Sequence, residues 1–424
     1  MVAVPSQEAL VSSKANRKDS KGRPLWKGES ERKSENRYSY AYTDTMGSRH
    51  YIYNKDLMEL RKMEDKLHRD IQDGIGIYGS GKETINDTFD RYLETKYNLK
   101  MSTKSGYIYT YDHFVRNGFG KKKVKDVIYS DVLQFYKKLI EDDGLAVATV
   151  DSIHCLLHTA FQMAVRDQLI RLNPTDNAMA EISKLADEGE KKFALTPEQQ
   201  KNLMSYLHSS PKYFHWWPIF TILLGTGCRI GEAVGIRWQD IDLENESINV
   251  NHSIGYYADY KTKKSAYHVD CPKTASGIRI IPMYSVVREA IDILKDEYDE
   301  YGPVTQEIEG YTDFIMRNRF GNIVNPQGMN KNIDRIIGSY NEDESRKAAR
   351  EHRNPVYMPH FSCHNLRHTF ITRLCEVETN LKVVMYIAGH HDIKTTMEIY
   401  AEATERRNKE TVTTTDKDIS YLFR

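Results

Sequence analysis

The spacing of apolar residues changes along the chain, and this change constrains the fold more than any other feature. R-Y-S-Y-A-Y-T-D (37–44) and R-H-Y-I-Y-N (49–54) alternate aromatic with small or polar residues, a period of two that predicts strands. A turn, T-M-G-S, lies between them, and R-P-L-W-K-G (23–28) is a shorter candidate strand. Residues 56–71 instead repeat leucine, methionine and isoleucine at helical spacing. Residues 1–80 are therefore predicted to form a small α+β domain with a three-stranded sheet and one helix.

The pattern becomes wholly helical after Y-G-S-G-K-E-T (78–84), a glycine- and serine-containing break that predicts a linker. Four segments then carry an apolar stripe at helical spacing: residues 84–93, 103–115, 130–140 and 147–165. The proline of L-N-P (172–174) prevents the last helix from continuing. We expect an all-α domain over residues 83–180, followed by a charged connector, A-D-E-G-E-K-K (186–192).

The third region opens with a strong helix start. In L-T-P-E-Q-Q, Thr196 is placed to cap the helix, Pro197 occupies its first position and Gln199 completes a capping box. Helices are predicted to about residue 237 and again after residue 284, with strands at 246–257, 267–271 and 277–283. Residues 190–424 are therefore predicted to form a mainly α domain with a small antiparallel β-sheet.

Composition excludes several classes of protein. A chain of 424 residues is too long for one compact core. The longest strongly apolar run, residues 216–225, is half the length of a membrane span, and no signal peptide is expected from the first residues. Five scattered cysteines favour reduced thiols and a cytoplasmic location.

The charge balance requires any nucleic-acid-binding surface to be local. Lys+Arg equals Asp+Glu at 60 each, so the formal net charge is zero. Residues 1–55 nevertheless carry eleven Lys/Arg against six Asp/Glu. A short basic run, G-K-K-K-V-K (120–125), is either a solvated loop or a phosphate contact.

The stretch H-F-S-C-H-N-L-R-H-T-F (360–370) is the strongest candidate site, and it could bind a metal or an anion. A zinc protease motif requires glutamate after its first histidine, whereas Asn365 follows His364, and Arg367 would oppose a nearby dication. His364 and Arg367 are three residues apart, which places them on one helix face. Arginine offers planar, bidentate donors suited to phosphate oxygens. We therefore predict an anion site and no metal.

Three other segments carry residues suited to the same anion. T-G-C-R-I-G-E-A (226–233) presents Arg229 in a mostly apolar setting, where it needs a partner, and Glu232 is one turn away. C-P-K-T-A-S-G-I-R-I-I-P (271–282) places Lys273 at a turn between strands, and I-A-G-H-H-D-I-K-T-T-M-E-I-Y (387–400) offers His390 and Tyr400. Each segment alone is a weak signal.

Taken in order, T-G-C-R-I-G-E, P-K-T-A-S-G, H-N-L-R-H-T-F and G-H-H-D-I-K-T-T-M-E-I-Y resemble the motifs of tyrosine recombinases of the phage-integrase family. The match covers about residues 190–405. The helical region is similar to that family's core-binding domain, and the N-terminal module resembles the arm-binding domain of integrases from conjugative transposons. The resemblance implies a site-specific recombinase that integrates and excises a mobile element through a 3′-phosphotyrosyl intermediate and a Holliday junction.

The resemblance also implies roles for individual residues. Glu232 would hold Arg229, and His368 would give structural support. His391 follows His390 immediately, and His390 is favoured because it comes directly after Gly389. The implied catalytic set is Arg229, Lys273, His364, Arg367, His390 and the nucleophile Tyr400.

Partners follow from the same resemblance. A homo-tetramer would bind double-stranded DNA at core and arm sites, and an accessory directionality factor would assist it. No cofactor, metal or membrane is expected. Ile419, Leu422 and Phe423 form an apolar tip on a polar tail, which either packs on its own domain or docks onto a neighbouring protomer. The candidate DNA-contact residues are Arg37, Tyr38, Tyr40, Tyr42, Lys121, Lys122 and Lys123.

Two other functions remain open from the sequence. A type IB topoisomerase would use nearly the same chemistry without exchanging DNA partners. A non-catalytic DNA-binding protein on this fold would lack one or more of the catalytic residues, and none is missing here. The two-part N-terminal half favours recombination, because an arm-binding module is useful for assembling several DNA segments.

Overall fold

The structure is a computed structural model that describes residues 17–43, 49–72, 82–185, 193–272, 277–390, 392–401 and 403–404. The chain divides into two compact units, Met1–Gly189 and Glu190–Arg424. None of the helices in the described ranges has the length and apolar character needed to cross a membrane.

The first unit begins with an antiparallel sheet of three strands, β1 (Glu29–Arg32), β2 (Arg37–Thr43) and β3 (Arg49–Asn54), in that order. Helix α1 (Leu57–Gln72) follows and packs Leu57 and Leu60 against Tyr38 and Tyr40 of β2. The prediction of a first strand at residues 23–28 is wrong. That segment makes only an isolated bridge at Pro24, which has no N–H to donate to a strand ladder. The predicted turn at residues 45–48 lies outside the described residues.

The rest of the first unit is helical. Thr84 caps α2 (Ile85–Thr95) through a capping box with Asp87. The other helices are α3 (Met101–Phe114), α4 (Tyr129–Glu141), α5 (Val147–Arg166) and a short α6 (Ala178–Ile182). Their buried residues form a hydrophobic core of their own, in which the rings of Phe89 and Tyr111 stack 3.6 Å apart. The four predicted helices are present, and α6 was not predicted.

The second unit is mainly helical. Thr196 caps α7 (Pro197–Ser209) and pairs with Gln199, so the predicted capping box is confirmed. Further helices of this unit are α8 (Trp217–Thr226), α9 (Ile230–Gly235), α10 (Ser285–Tyr301), α11 (Met329–Arg350), α12 (Cys363–Val377) and α13 (Leu381–Ala388). Residues 393–401 are also helical.

The described residues of the second unit also form five short strands. β4 (Ile241–Asp242), β5 (Ser247–Val250) and β8 (Arg279–Pro282) form an antiparallel sheet in the order β4-β5-β8. β6 (Ser253–Ala258) and β7 (Ser265–Asp270) form a separate two-stranded hairpin. The single strand predicted at residues 246–257 is therefore two strands, because the chain leaves one sheet at residue 250 and joins the other at residue 253.

Candidate active site

A cavity of about 420 Å³ in the second unit brings together most of the predicted catalytic residues. It is lined by Arg229, His364, Arg367, His368, Ile371, His390, Asp392, Thr395, Glu398 and Ile399. The last three belong to the helical segment 393–401, which also carries Tyr400. Tyr400 does not line the cavity and is half-buried against the hydrophobic core. Lys273, His391 and the tail residues Ile419, Leu422 and Phe423 lie outside the described residues.

A tight turn positions Arg229. Helix α8 ends at Gly227, whose φ of +63° belongs to the left-handed region that favours glycine. A Cβ atom at this position would lie 2.2 Å from Cδ1 of Phe370, so the close approach of α12 also requires glycine. Arg229 follows as the residue immediately before α9, and its side chain is half exposed to solvent. Its Nη1 donates to Oε1 of Glu232 at 2.8 Å, as the sequence predicts.

Arg367 is held by backbone carbonyls. Its side chain is only 3% exposed, and Nη1 donates to the carbonyl oxygen of Gly227 at 2.8 Å. Nη2 donates to the carbonyl oxygen of Ala388, the last residue of α13. Both acceptors are at helix C-termini, where the helix dipole favours a cation. In the described part of the chain, the hydrogen bonds that fix this guanidinium go to neutral carbonyls, and Glu232 Oε2 is 4.0 Å from its Nη1.

Arg279 is a further arginine of this cluster, which the sequence reasoning missed. Its side chain is fully buried, and Nη2 donates to Oε2 of Glu232 at 2.8 Å. Burial opposes its charge, yet the bond to Glu232 keeps the pKa of Arg279 above its ordinary value. The signal that could have found it is strand alternation. In G-I-R-I-I-P, Arg279 shares the inward face of β8 with Ile281, where an arginine requires a buried partner.

The cluster joins the carboxylate of Glu232 to three guanidiniums, those of the buried Arg279 and Arg367 and of the half-exposed Arg229. Burial raises the pKa of Glu232, but its bonds to Arg279 and Arg229 outweigh that effect and lower the pKa to about 2. Burial and the charge of Arg229 lower the pKa of Arg367 to about 10, so it remains protonated at neutral pH.

His390 experiences the same excess of positive charge. Its backbone follows Gly389, which caps the C-terminus of α13 with a φ of +62°, and its Nδ1 lies 2.9 Å from Oγ1 of Thr396. Burial and the nearby cations, Arg367 first, lower the pKa of His390 to about 4. Asp392 and Glu398 also line the cavity, but both are exposed to solvent, where water screens their charges. The interior of the cavity therefore favours an anion.

The structure places the three tyrosines of the predicted DNA-contact set on the core side of β2. Tyr38 and Tyr40 are buried at 6% and 9% exposure, and Tyr42 packs against the same core. The hydroxyl of Tyr38 donates to Asp19, and that of Tyr40 bonds to His68. The aromatic alternation predicted the strand but not which of its faces is buried, because aromatic side chains pack in a core at least as readily as they bind a ligand at a surface.

The opposite face of the sheet carries exposed aromatic and basic side chains. Strand register places Tyr53 beside Ser39 and Tyr51 beside Ala41, on the same face as Arg37. The guanidinium of Arg37 lies 4.2 Å from the ring centroid of Tyr53.

Lys121, Lys122 and Lys123 are all exposed, although Lys122 is paired with Asp131 at 3.0 Å.

Comparisons with known proteins show which family the chain resembles. Residues 194–407 match the phage integrase family, and residues 13–71 match the DNA binding domain of Tn916 integrase. A transposase from transposon Tn1545 of Streptococcus agalactiae serotype V is 30% identical over 92% of this chain and 94% of its own length. A transposase from transposon Tn916 of Enterococcus faecalis has the same identity and coverage.

A solved structure has a similar fold. The Tn1549 transposon integrase, in complex with transposon right end DNA, superposes with a TM-score of 0.66 at 28% identity. The match covers 78% of this chain and 99% of that chain. The predicted fold class and enzyme class are confirmed, and the chain belongs to the phage integrase family of tyrosine recombinases.

Proposed function

We propose that this recombinase cuts and rejoins double-stranded DNA at specific sites and so integrates and excises a mobile element. The observation that carries the proposal is the cavity in which Arg229, Arg367, His364 and His390 converge with an excess of buried positive charge. A DNA phosphate would supply the missing counter-charge. The relatives named as transposon transposases support a conjugative transposon as the mobile element.

The proposed reaction uses Tyr400 as the nucleophile. Its hydroxyl oxygen bonds to phosphorus while the bond from phosphorus to the 5′ oxygen breaks, which leaves a 3′-phosphotyrosyl link. Arg229 and Arg367 stabilise the charge on the non-bridging oxygens, the kind of electrostatic effect that usually dominates such reactions. Lys273 gives a proton to the leaving 5′ oxygen. His364 either accepts the proton of Tyr400 or donates a hydrogen bond to the phosphate, in which case the proton of Tyr400 passes to solvent water.

Tyr400 has to reach the cavity for this step. Its ring is half-buried against the hydrophobic core, whereas Thr395, Glu398 and Ile399 of the same helical segment line the cavity. Attack therefore requires the segment 393–401 to present the Tyr400 hydroxyl to the bound phosphate. The covalent link conserves the energy of the broken bond, so rejoining needs no nucleotide hydrolysis.

The N-terminal half is proposed to bind DNA in two parts, an arm-binding domain over residues 1–80 and a core-binding domain over residues 83–180. The match of residues 13–71 to a DNA binding domain supports the first part. The face of the sheet that carries Arg37, Tyr51 and Tyr53 is the proposed contact surface, because both tyrosines are exposed and Arg37, although paired with Glu35, is partly exposed. The catalytic domain spans residues 190–424, and a homo-tetramer and a directionality factor remain predictions of the family resemblance.

The test is a nicked suicide substrate, which traps the covalent intermediate. The unaltered chain should form a DNA adduct, and Tyr400→Phe should bind the same DNA without forming one. Tyr357→Phe is the matched control, because Tyr357 is an exposed tyrosine outside the cavity and its variant should form adduct normally. An adduct that persists in Tyr400→Phe would refute the assignment of the nucleophile.

A type IB topoisomerase is the alternative function. It predicts relaxation of supercoiled DNA without joining of two different substrates. Joining of two labelled core sites to give recombinant products decides in favour of the recombinase.

Deletion of residues 1–80 should spare cleavage at core sites and weaken binding to arm sites.

A further inference from the structure

The two oxygens of the Glu232 carboxylate are divided between two arginines. Oε1 accepts a hydrogen bond from Nη1 of Arg229 at 2.8 Å, and Oε2 accepts one from Nη2 of Arg279, also at 2.8 Å. Oε2 also accepts the backbone N–H of Arg229 at 2.9 Å. Arg367 is the third guanidinium of the cluster, and its Nη1 is 4.0 Å from Oε2. Glu232 therefore lies just beyond hydrogen-bonding distance of Arg367.

We propose that Arg279 is a positioning residue that keeps the Glu232 carboxylate away from Arg367, so that Arg367 remains available to the DNA phosphate. The inference rests on the proposed function and deepens it. A carboxylate that paired directly with Arg367 would compete with the phosphate for the same guanidinium. A shift of about 1 Å would bring Oε2 to hydrogen-bonding distance of Arg367.

The bond to Arg279 opposes that shift because Arg279 itself is anchored. Its Nε donates to the carbonyl oxygen of Ile387 at 2.9 Å, and its Nη1 donates to the carbonyl oxygen of Gly277 at 3.3 Å. Its side chain is fully buried, so it has little freedom to follow Glu232. The carboxylate is thus bound to a donor fixed by two backbone segments.

The same guanidinium supports the turn that carries His390. A Cβ atom at Gly389 would lie 3.0 Å from Nη1 and 3.1 Å from Cζ of Arg279, so the backbone of this turn packs directly on the guanidinium. Arg279 and Arg367 bind the carbonyls of Ile387 and Ala388, which are adjacent at the end of α13. Arg279 therefore connects the segment of Arg229, through Glu232, with the segment of His390.

The test is a double-variant comparison in the full chain on the nicked suicide substrate. In Arg279→Gln, Glu232 keeps its bonds to Arg229 but loses the one to Arg279, so its Oε2 can shift toward Arg367. The rate of adduct formation should fall about 100-fold while affinity for core-site DNA is retained. In Arg279→Gln combined with Glu232→Gln, the competing carboxylate is gone, and the rate should recover about tenfold relative to Arg279→Gln. Arg279→Lys keeps one charged donor for Glu232 and should be intermediate in rate.

Arg237→Gln is the matched control. Arg237 is another largely buried arginine, paired with Asp240 at 3.0 Å, and it does not line the cavity. Its variant should lower the melting temperature without a specific loss of adduct formation, and Glu232→Gln should not improve it.

Two outcomes overturn the proposal. One is a double variant no faster than Arg279→Gln, which would mean that Glu232 does not compete for Arg367. The other is loss of cooperative unfolding in both Arg279→Gln and Arg279→Lys, which would make the residue a folding determinant only. Failure of the proposed function is distinguishable from both, since the unaltered chain would then form no adduct through Tyr400.

Discussion

Replacing Glu64 by glutamine should stabilise the N-terminal sheet and its helix, increasingly so as the pH rises. Glu64 lies on α1, is 3% exposed, and its Oε1 has no hydrogen-bond partner among the described residues. It faces Glu29, whose carboxylate accepts two hydrogen bonds from Arg61, at 2.8 and 3.0 Å. Burial first, and then the charge of Glu29, raise the pKa of Glu64 from 4.5 to about 8.

The direction of the effect follows from proton binding. Below pH 4.5 the carboxyl group is protonated in both the folded and the unfolded chain, and its contribution to stability is fully present. Between pH 4.5 and about 8 the folded chain keeps the proton that the unfolded chain has released, so stability falls as the pH rises. The slope is about 1.4 kcal/mol per pH unit, so a rise of two units within this window costs up to about 2.7 kcal/mol. Glutamine is neutral throughout and removes this loss.

Hydrogen exchange at residues 57–72 provides a local measurement, with residues 147–166 of α5 as an internal reference. The protection of Glu64→Gln relative to the unaltered chain should increase steadily from pH 5.5 to pH 7.5. Glu59→Gln is the matched control, because Glu59 is an exposed glutamate on the same helix that pairs with Lys62 at the surface. Parallel loss of protection in the Glu64→Gln and unaltered chains would refute the reasoning.

Three further predictions follow from the structure. Gly227→Ala should lower the stability of the second unit by about 1–3 kcal/mol in calorimetry, because the φ of +63° disfavours a side chain and Phe370 occupies the space of the Cβ atom. Gly106→Ala is the control and should not be destabilising, because Gly106 faces open space on α3. Tyr53→Ala should weaken binding to arm-site DNA, whereas Tyr40→Phe should leave that affinity unchanged in a titration. Adduct formation should persist in EDTA, and a loss that zinc restores would contradict the predicted anion site.

Local sequence patterns predicted where helices and strands lie better than which face of a strand is buried. Thr196 and Gln199 of the capping box are only three residues apart, so the start of α7 was predictable to the residue. The alternation that predicted β2 is equally compatible with either face toward the core, since a period of two only separates the faces. Which face is buried depends on α1, whose leucines contact Tyr38 and Tyr40.

The site was predictable where its chemistry is local in sequence. His364 and Arg367 are one helical turn apart, and Arg229 and Glu232 are three residues apart, so each pair follows from helix geometry. Arg279 is 47 residues from its partner Glu232, and that pairing depends on β8 meeting α9 in space. Sequence separation of this kind leaves only an indirect signal, an arginine on the apolar face of a strand.

The three arginines of the cluster differ in how much of each guanidinium is accessible to a ligand and not already bound to a carboxylate. Arg279 is fully buried, bonds to Glu232 and two backbone carbonyls, and does not line the cavity. Arg229 shares Glu232 but is half exposed, so part of its guanidinium is accessible. Arg367 donates hydrogen bonds to two neutral backbone carbonyls, and it lines the cavity while buried from bulk water. Because an ion pair strengthens as water is excluded, an incoming phosphate gains most from Arg367, whose charge is the least compensated by carboxylate. Arg279 completes this arrangement without touching the ligand, since its bond to Glu232 prevents the protein from neutralising Arg367 by itself.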